Sequence, residues 1–365
     1  MISSDVRRDV GETLWLGFHG TTPPPALLAA IGDGDVGAVV WFGRNLLRLD
    51  NGELDLEAVA RANEAFHGAA ASGSLPPLIA VDQEGGRVQR IREPATRWPP
   101  MMAAADKSPE LCERAGEAMA RELCAIGFDL DFSPVLDVHS NPQNPVIGDR
   151  AFGTDPEAVA ERALAFARGL RAGGIIACGK HFPGHGDTSE DSHLALPVLD
   201  HDLARLEAVE LLPFRRAIAA GVPVMMTAHV VFAALEAGVP ATLSAAVIAG
   251  LLRERLGFAG VIVSDDLDMK AVADGYAPGD AAVRAIAAGC DALLLCARED
   301  VQRESQASLV RAATDDATFR NRLASAAGRV RALKARHFET AGQRPDWRAV
   351  CGAPAHRELA AELAG

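Results

Sequence analysis

Residues 155–181, DPEAVAERALAFARGLRAGGIIACGKH, contain the unit that decides the fold. Apolar side chains recur every three or four positions over 155–172, which predicts an amphipathic helix. Gly173 then ends the helical pattern, as glycine commonly does after a helix. The apolar run 175–181 predicts a buried strand, and it ends in a lysine and a histidine. A helix followed by a buried strand is the repeating unit of a parallel α/β fold.

The same alternation of helix and strand extends along the whole chain. The remaining strand candidates are 14–19, 38–43, 77–82, 130–137, 223–229, 260–266 and 291–296. Helical patterns lie between most of them, at 57–69, 109–126, 202–220, 244–256 and 280–288. Eight buried strands alternating with helices predict an α/β fold, a single (β/α)8 barrel over residues 1–338. Within it, 299–338 supply the final helices, and 339–365 form a tail that packs on or trails from the barrel.

An open, doubly wound sheet would show the same alternation, so two further observations favour the barrel. No GxGxxG pattern follows an early strand. Polar side chains also recur at the carboxyl ends of strands, where barrel enzymes build their sites. These side chains are Asp82, Asp137, His181, His229 and Asp265. We therefore expect a functional site at that end of a closed barrel.

The composition limits the classes of partner. The chain has 36 Lys and Arg against 49 Asp and Glu, a formal net charge of −13, which argues against nucleic-acid binding. No uncharged apolar stretch approaches the ~18 residues of a membrane span, and the first residues lack the apolar core of a signal peptide. The six cysteines have no CxxC spacing, which favours core positions in a reducing compartment. We expect a cytoplasmic monomer that needs no cofactor.

The segment 180–193, KHFPGHGDTSEDSH, concentrates residues that can do chemistry. Its proline and glycines predict a loop that leaves the end of a strand. His181 and His185 lie four residues apart, but this spacing joins two metal ligands only on a helix, which the intervening Pro-Gly prevents. We therefore predict no metal site. Asp191 and His193 offer a different pairing, because a carboxylate can orient an imidazole for proton transfer near neutral pH.

Acids follow two other strand candidates. Asp265, Asp266 and Asp268 come at the end of 260–266. Since successive side chains of a strand alternate in direction, only one of the first two should face the barrel mouth. We expect Asp266 or Asp268 to cap a helix. Asp82 is followed by Gln-Glu-Gly-Gly-Arg, in which the glycines allow backbone to approach a ligand and the carboxylate could accept bonds from two hydroxyls.

These motifs, with SPVLD at 133–137 and NPVIGDRAFG at 144–153, resemble those of the glycoside hydrolase family 3 β-N-acetylglucosaminidases and occur in the same order. The resemblance covers roughly residues 14–300. The chain is similar to the single-domain bacterial members, which act in peptidoglycan recycling and, in Gram-negative species, in the cytoplasm. The resemblance thus implies a retaining exo-enzyme that releases terminal N-acetylglucosamine from muropeptides.

The resemblance also implies residue roles. Asp265 matches the nucleophile that forms a covalent glycosyl-enzyme, and His193, oriented by Asp191, matches an acid/base that replaces the usual second carboxylate. Asp268 departs from the family pattern, because relatives frequently have a smaller polar residue at this position. Its carboxylate would change the charge near the nucleophile. The implied sugar-binding residues are Asp82, Arg150, Lys180 and His181, with His229 as a further pocket residue.

Three other functions remain open from the sequence. A glycoside phosphorylase would suit a histidine donor, because a carboxylate would repel the incoming phosphate. In a substrate-assisted hexosaminidase the acetamide would attack, with Asp265 and Asp266 as the supporting pair. A sugar-binding barrel without activity is the third. Aromatic residues make up only 5% of the chain, so we expect a pocket for one terminal sugar instead of a long stacking groove.

Overall fold

Eight parallel strands form the centre of the computed structural model, which describes residues 4–192, 196–340 and 342–365. They are β1 Leu14–Gly17, β2 Ala38–Trp41, β3 Leu78–Val81, β4 Leu130–Asp131, β5 Ile176–Phe182, β6 Val224–Thr227, β7 Val261–Val263 and β8 Leu293–Leu295. Neighbours in the chain are neighbours in the sheet, and β8 pairs with β1. A parallel bridge between Val263 and Ala292 joins β7 to β8 and closes the ring. The predicted (β/α)8 barrel is confirmed.

Helices surround this barrel. They are α1 Ser4–Thr13, α2 Pro25–Asp33, α3 Leu56–Gly68, α4 Pro109–Ala125, α5 Pro156–Ala172, α6 Leu203–Ala208, α7 Leu211–Ala219, α8 Lys270–Ala273, α9 Pro278–Ala288, α10 Glu299–Asp315, α11 Ala317–Thr340, α12 Trp347–Val350 and α13 Pro354–Ala364, with a π-helix over Ala246–Arg255. Asp55, Ser108 and Asp155 cap α3, α4 and α5, each accepting a hydrogen bond from a backbone N–H in the first turn. None of the described helices has both the length and the apolar character that crossing a bilayer would require.

Two stretches differ from the predictions for local reasons. The predicted strand 130–137 is regular only over β4, and Pro134 has no N–H to donate. Beyond β4, the N–H groups of Cys178 and Lys180 still donate to the carbonyls of Ser133 and Pro134, at 2.8 and 3.1 Å. The predicted helix 202–220 is divided into α6 and α7. Pro213 lies in the first turn of α7. Because proline has no backbone N–H, a helix that continued from α6 through this residue would lack one of its hydrogen bonds.

The sequence patterns do not predict α1 and α2. Both helices are short, and α2 (PALLAAIGD) carries apolar residues over most of its length, so a helical period is hard to distinguish from an apolar run. Pro25 opens α2 at a position where the missing N–H costs nothing, and Gly34 ends it with a left-handed φ of 78°.

The strands separate two apolar layers. Inside the barrel lie alternate side chains of the strands, among them Trp15, Val40, Phe132, Cys178 and Met226. The side chains of opposite direction, such as those of Leu16, Val39 and Ile79, pack against the helices. All six cysteines are free thiols; four are buried, as predicted, whereas Cys124 and Cys351 are half-buried.

The residues after α11 also contact the barrel. Helix α13 packs on α4 and buries Leu359, Ala360 and Leu363. The buried carboxylate of Glu122, on α4, accepts hydrogen bonds from the N–H of Gly352 at 2.9 Å and from the ring of His356 at 2.8 Å. The C-terminal segment is thus held to the side of the barrel by both apolar and charged contacts.

Candidate active site

A cavity of about 210 Å³ lies at the carboxyl ends of the barrel strands. Its polar lining includes five of the residues singled out from the sequence, namely Asp82, Arg150, Lys180, His181 and Asp265. Apolar side chains from inside the barrel form its floor, among them Val40, Phe132, Met226 and Leu294. Parallel strands end at one face of a barrel, so residues distant in sequence converge there.

Two acids and two bases form a group of ion pairs at this cavity. The Nζ of Lys180 lies 2.8 Å from Oδ1 of Asp82 and 2.6 Å from Oε1 of Glu84. Glu84 also binds Arg150 through two hydrogen bonds of 2.8 Å each. Arg90 lies 3.4 Å from the other oxygen of Asp82. Asp82 and Glu84 both contact Lys180 because side chains two residues apart in extended backbone point in the same direction.

The charges of this group stabilise one another. Burial raises the pKa of Glu84, but Arg150 and Lys180 outweigh it and lower the pKa to about 2. Lys180 and Arg90 likewise lower the pKa of Asp82 in spite of its burial. Burial lowers the pKa of Lys180, and the two carboxylates more than reverse this. At neutral pH the cavity therefore presents fixed charged groups that can bind sugar hydroxyls.

His181 is held by a carboxylate behind it. Its Nδ1 lies 2.6 Å from Oδ2 of Asp137, and its backbone N–H donates to Oδ1 of the same residue at 3.2 Å. On the other side of the ring, Nε2 lies 3.4 Å from a terminal nitrogen of Arg150, which can only donate. With Nδ1 donating to Asp137, Nε2 is the acceptor for the guanidinium N–H of Arg150.

Asp265 follows β7, and it lines the cavity. Burial raises its pKa, but His229, His181, the N–H of Asp266 and Lys180 together lower it below the ordinary value. The hydrogen bond from the N–H of Asp266 to Oδ1 is 2.8 Å long. Asp265 is consequently an ionised, oriented nucleophile candidate at neutral pH.

The two neighbouring acids have different surroundings. Burial and the charges of Asp268 and Asp265 raise the pKa of Asp266 to about 7. Its Oδ1 accepts from the N–H groups of Asp268 and Cys296, at 3.1 and 3.2 Å. Asp268 accepts from the N–H groups of Ala297 and Arg298. The expectation that Asp266 or Asp268 caps a helix is wrong: α8 begins after Met269, and both carboxylates bind backbone that follows β8.

His229 is completely buried next to these acids. Its Nε2 lies 3.0 Å from the carbonyl oxygen of Asp266, and Nδ1 lies 2.8 Å from the hydroxyl of Thr242. Because it lowers the pKa of Asp265, the ring acts on the nucleophile candidate from the protein interior.

The loop after β5 is bound to the segment 138–144. The side-chain amide of Asn144 donates to the carbonyl of His185 at 2.9 Å and to the hydroxyl of Thr188 at 3.1 Å. The backbone passes so close to this segment that a Cβ on Gly186 would lie 1.7 Å from the carbonyl oxygen of Val138. Only glycine fits there. Asp191 lies half-buried in the same loop, and His193 lies outside the described residues.

Metal binding is not supported by the described side chains. Residues 4–192, 196–340 and 342–365 contain no group of three or more His, Cys, Asp or Glu arranged to hold a metal ion. The rings of His181 and His185 are 6.0 Å apart at their centroids and nearly perpendicular, and each binds other residues.

The sequence analysis does not identify Arg90, which lines the cavity, or Glu84, which binds the lining residues Arg150 and Lys180. The signal for Glu84 is its place two residues after Asp82, which puts both acids on one face of an extended segment. Arg90 directly follows the hairpin formed by Gln83–Gly85 and Val88–Gln89. The side chain of Gln83 fixes this hairpin by accepting from the N–H groups of Arg90 and Ile91.

Comparisons with known proteins identify the family of the chain. Residues 21–333 match the family described as "Glycosyl hydrolase family 3 N terminal domain". The chain is 36% identical, over 94% of its length, to beta-hexosaminidase A of Pseudoalteromonas piscicida, and spans 60% of that longer protein. A family 3 beta-N-acetylglucosaminidase from Paenibacillus sp. str. FPU-7 superposes with a TM-score of 0.90 at 38% identity, covering 98% of this chain and 68% of that one. NagZ from Neisseria gonorrhoeae, solved with N-trifluoroacetyl-D-glucosamine, gives 0.79 at 32% identity, covering 97% of both.

Proposed function

The chain belongs to glycosyl hydrolase family 3, a family of glycoside hydrolases, and we propose that it is a retaining exo-β-N-acetylglucosaminidase. One observation carries the proposal. An ionised carboxylate, that of Asp265, lies in a small cavity whose other walls carry Asp82, Lys180, Arg150 and His181. Charged groups fixed beside an ionised nucleophile suit a reaction in which a neutral sugar develops positive charge at its anomeric carbon.

The size of the cavity supports exo-action. Pockets for drug-sized ligands are typically about 300–1,000 Å³, whereas this cavity has about 210 Å³. One pyranose ring with its substituents suits such a volume better than a chain of sugars does. The apolar floor formed by Phe132 and Met226 can contact the less polar face of a sugar ring.

The proposed reaction has two steps. In the first, Asp265 attacks the anomeric carbon while the glycosidic oxygen leaves and takes a proton from His193. In the second, water attacks the same carbon, gives its proton to His193 and releases the carboxylate. Two displacements at one carbon retain its configuration. In this scheme Asp191 orients the imidazole, and His229 helps to keep Asp265 ionised.

The natural substrates that we propose are muropeptides, the N-acetylglucosaminyl fragments of peptidoglycan. The support is the likeness of the sequence motifs to the bacterial enzymes of peptidoglycan recycling and the likeness of the whole chain to NagZ. We further propose that the enzyme acts in the cytoplasm, as a monomer, and that residues 1–338 form its catalytic barrel.

Hydrolysis of a chromogenic N-acetyl-β-glucosaminide is the first test. We expect release of the chromophore and, by NMR, the β-anomer of the free sugar as first product. The reaction should be repeated in phosphate and in a phosphate-free buffer; a sugar 1-phosphate as main product would contradict hydrolysis. Trapping with a 2-deoxy-2-fluoro glycoside should label Asp265, whereas a substrate-assisted route leaves it unlabelled. Absence of turnover would favour a sugar-binding barrel.

A further inference from the structure

We propose that His185 is a positioning residue. Through its hydrogen bond to Ser192 it fixes the end of the loop that carries the acid/base, and through Asp137 it connects this loop to the sugar-binding His181. The proposal rests on the proposed function, since it concerns the proton-transfer half of the same reaction. Ser192 directly precedes His193 in the chain. A hydrogen bond at Ser192 therefore acts on the main chain next to the proposed acid/base.

His185 is enclosed in the protein with both ring nitrogens engaged. Its residue exposure is 1%, and that of Ser192 is 2%. Nδ1 lies 2.8 Å from the hydroxyl oxygen of Thr188, and Nε2 lies 2.9 Å from the hydroxyl oxygen of Ser192. Both His185 and Ser192 also line the sugar cavity. The contact thus closes a loop of eight residues directly at the cavity wall.

The direction of each hydrogen bond follows from the donors available. The Thr188 hydroxyl has one proton, and the carbonyl of His185, 3.1 Å away, can only accept it. The same oxygen then accepts from the amide of Asn144 at 3.1 Å and from Nδ1–H of His185. With its proton on Nδ1, a neutral imidazole has a lone pair on Nε2, so the Ser192 hydroxyl donates to it.

The ring is neutral under ordinary conditions. Burial, together with the nearby His181, lowers the pKa of His185 to about 4 despite the carboxylate of Asp137. At neutral pH the imidazole therefore keeps one proton, which is the condition that the arrangement deduced from the donors requires.

A single carboxylate joins this contact to the sugar site. Oδ1 of Asp137 accepts from the backbone N–H of His185 at 2.7 Å, and Oδ2 binds the ring of His181 at 2.6 Å. Asp137 is fully buried, so neither contact is exchanged for water. A displacement of His181 on sugar binding would thus move the backbone that supports Ser192.

The test uses Ser192→Ala, which removes the donor hydroxyl alone. Ser189→Ala is the matched control, because Ser189 is an exposed residue of the same loop. Values of kcat/KM are compared for a dinitrophenyl glycoside, which leaves without a proton, and for a disaccharide, which needs one. We expect Ser192→Ala to lower the disaccharide value about tenfold, as for one lost hydrogen bond, and the dinitrophenyl value by less than about twofold. The control should change neither.

Equal losses with both substrates would overturn the proposal and leave the proposed function standing. If the wild-type enzyme hydrolyses neither substrate, the proposed function itself has failed. A second measurement does not depend on a variant: ¹⁵N NMR of the wild-type protein should show the His185 ring with its proton on Nδ1 at pH 7. A proton on Nε2, or a doubly protonated ring at that pH, would also overturn the proposal.

Discussion

Glu84 and Arg150 form a buried bidentate ion pair, in which two guanidinium nitrogens each lie 2.8 Å from a carboxylate oxygen. The same carboxylate lies 2.6 Å from Nζ of Lys180. Glu84 is therefore a counter-charge for two of the bases that line the sugar cavity, and Lys180 has Asp82 as a second partner. Without Glu84, the buried guanidinium of Arg150 would lose its bidentate carboxylate, which is costly in a site that excludes most water.

The Glu84→Gln variant should lose both stability and activity. Glutamine keeps the shape of the side chain but removes the charge, so Arg150 retains no full partner. Removing one member of a buried pair typically costs about 3–5 kcal/mol of the free energy of unfolding. We expect a loss of this order in urea denaturation, together with a higher KM, because Arg150 and Lys180 lose their fixed orientation.

An exposed pair of the same type provides the control for this experiment. Glu93 lies 3.7 Å from Arg97, and about half of each side chain is exposed. Exposed pairs contribute little, so Glu93→Gln should change the free energy of unfolding by no more than about 0.5 kcal/mol. Similar losses in both variants would mean that the charge of Glu84 has no special structural role.

The stability contributed by Glu84 should also depend on pH. Its pKa falls from the ordinary 4.5 to about 2 on folding, in spite of burial, because of Arg150 and Lys180. A carboxylate with a depressed pKa stabilises the folded state above its unfolded pKa, and this contribution is lost as the pH falls through the folded pKa. The difference in unfolding free energy between wild type and Glu84→Gln should therefore be constant above about pH 5 and shrink towards pH 2. A difference that stays constant over this range would contradict the assigned pKa.

The barrel and the resemblance to family 3 could both be predicted, because each depends on local sequence. The strand ends at Asp82, His181 and Asp265 follow apolar runs that periodicity identifies. The match of residues 21–333 confirms the family. The cavity then follows from the geometry of a parallel barrel, which gathers strand ends at one face.

The partners of those residues could not be predicted in the same way. Glu84 and Arg150 are 66 residues apart, and Asn144 and Thr188 are 44 apart, so no local pattern relates them. The helix-capping role expected for Asp266 or Asp268 was wrong for the same reason, because their partners come from tertiary contacts. Asp266 and Asp268 bind backbone N–H groups that follow β8, about thirty residues later in the chain.

Asp265 should be the residue that carries the covalent intermediate. Asp265→Asn should lower kcat on the order of 10⁴–10⁶-fold, as for other members of catalytic groups, while the far-ultraviolet circular dichroism stays unchanged. Asp266 is the informative comparison, since burial and Asp268 raise its pKa to about 7 and leave it partly protonated at neutral pH. Peptide mapping after a fluoroglycoside reaction should find the label on Asp265. A label on Asp266 or Asp268 would show that the wrong acid is assigned.

The assignment of His193 and Asp191 as the acid/base pair is tested by the leaving group. His193→Ala should have little effect on kcat/KM for an activated nitrophenyl glycoside, whose leaving group needs no proton. With a sugar leaving group the loss should be on the order of 10²–10⁴-fold, the usual contribution of general acid catalysis. The second step should slow as well, because the same imidazole would deprotonate water, so the glycosyl-enzyme should accumulate and give a burst.

Two further measurements separate proton transfer from a merely structural effect of the substitution. A small anionic nucleophile such as azide needs no base, so it should restore turnover of the covalent intermediate in His193→Ala and yield the β-glycosyl azide. Asp191→Ala should show the same dependence on the leaving group, but more weakly, because the imidazole remains and loses only its orienting carboxylate. A structural role would instead reduce the rate by similar factors for both substrates, with no azide rescue. That outcome would remove His193 and Asp191 from the mechanism and would leave Asp265, whose ionisation depends on other residues, as the nucleophile.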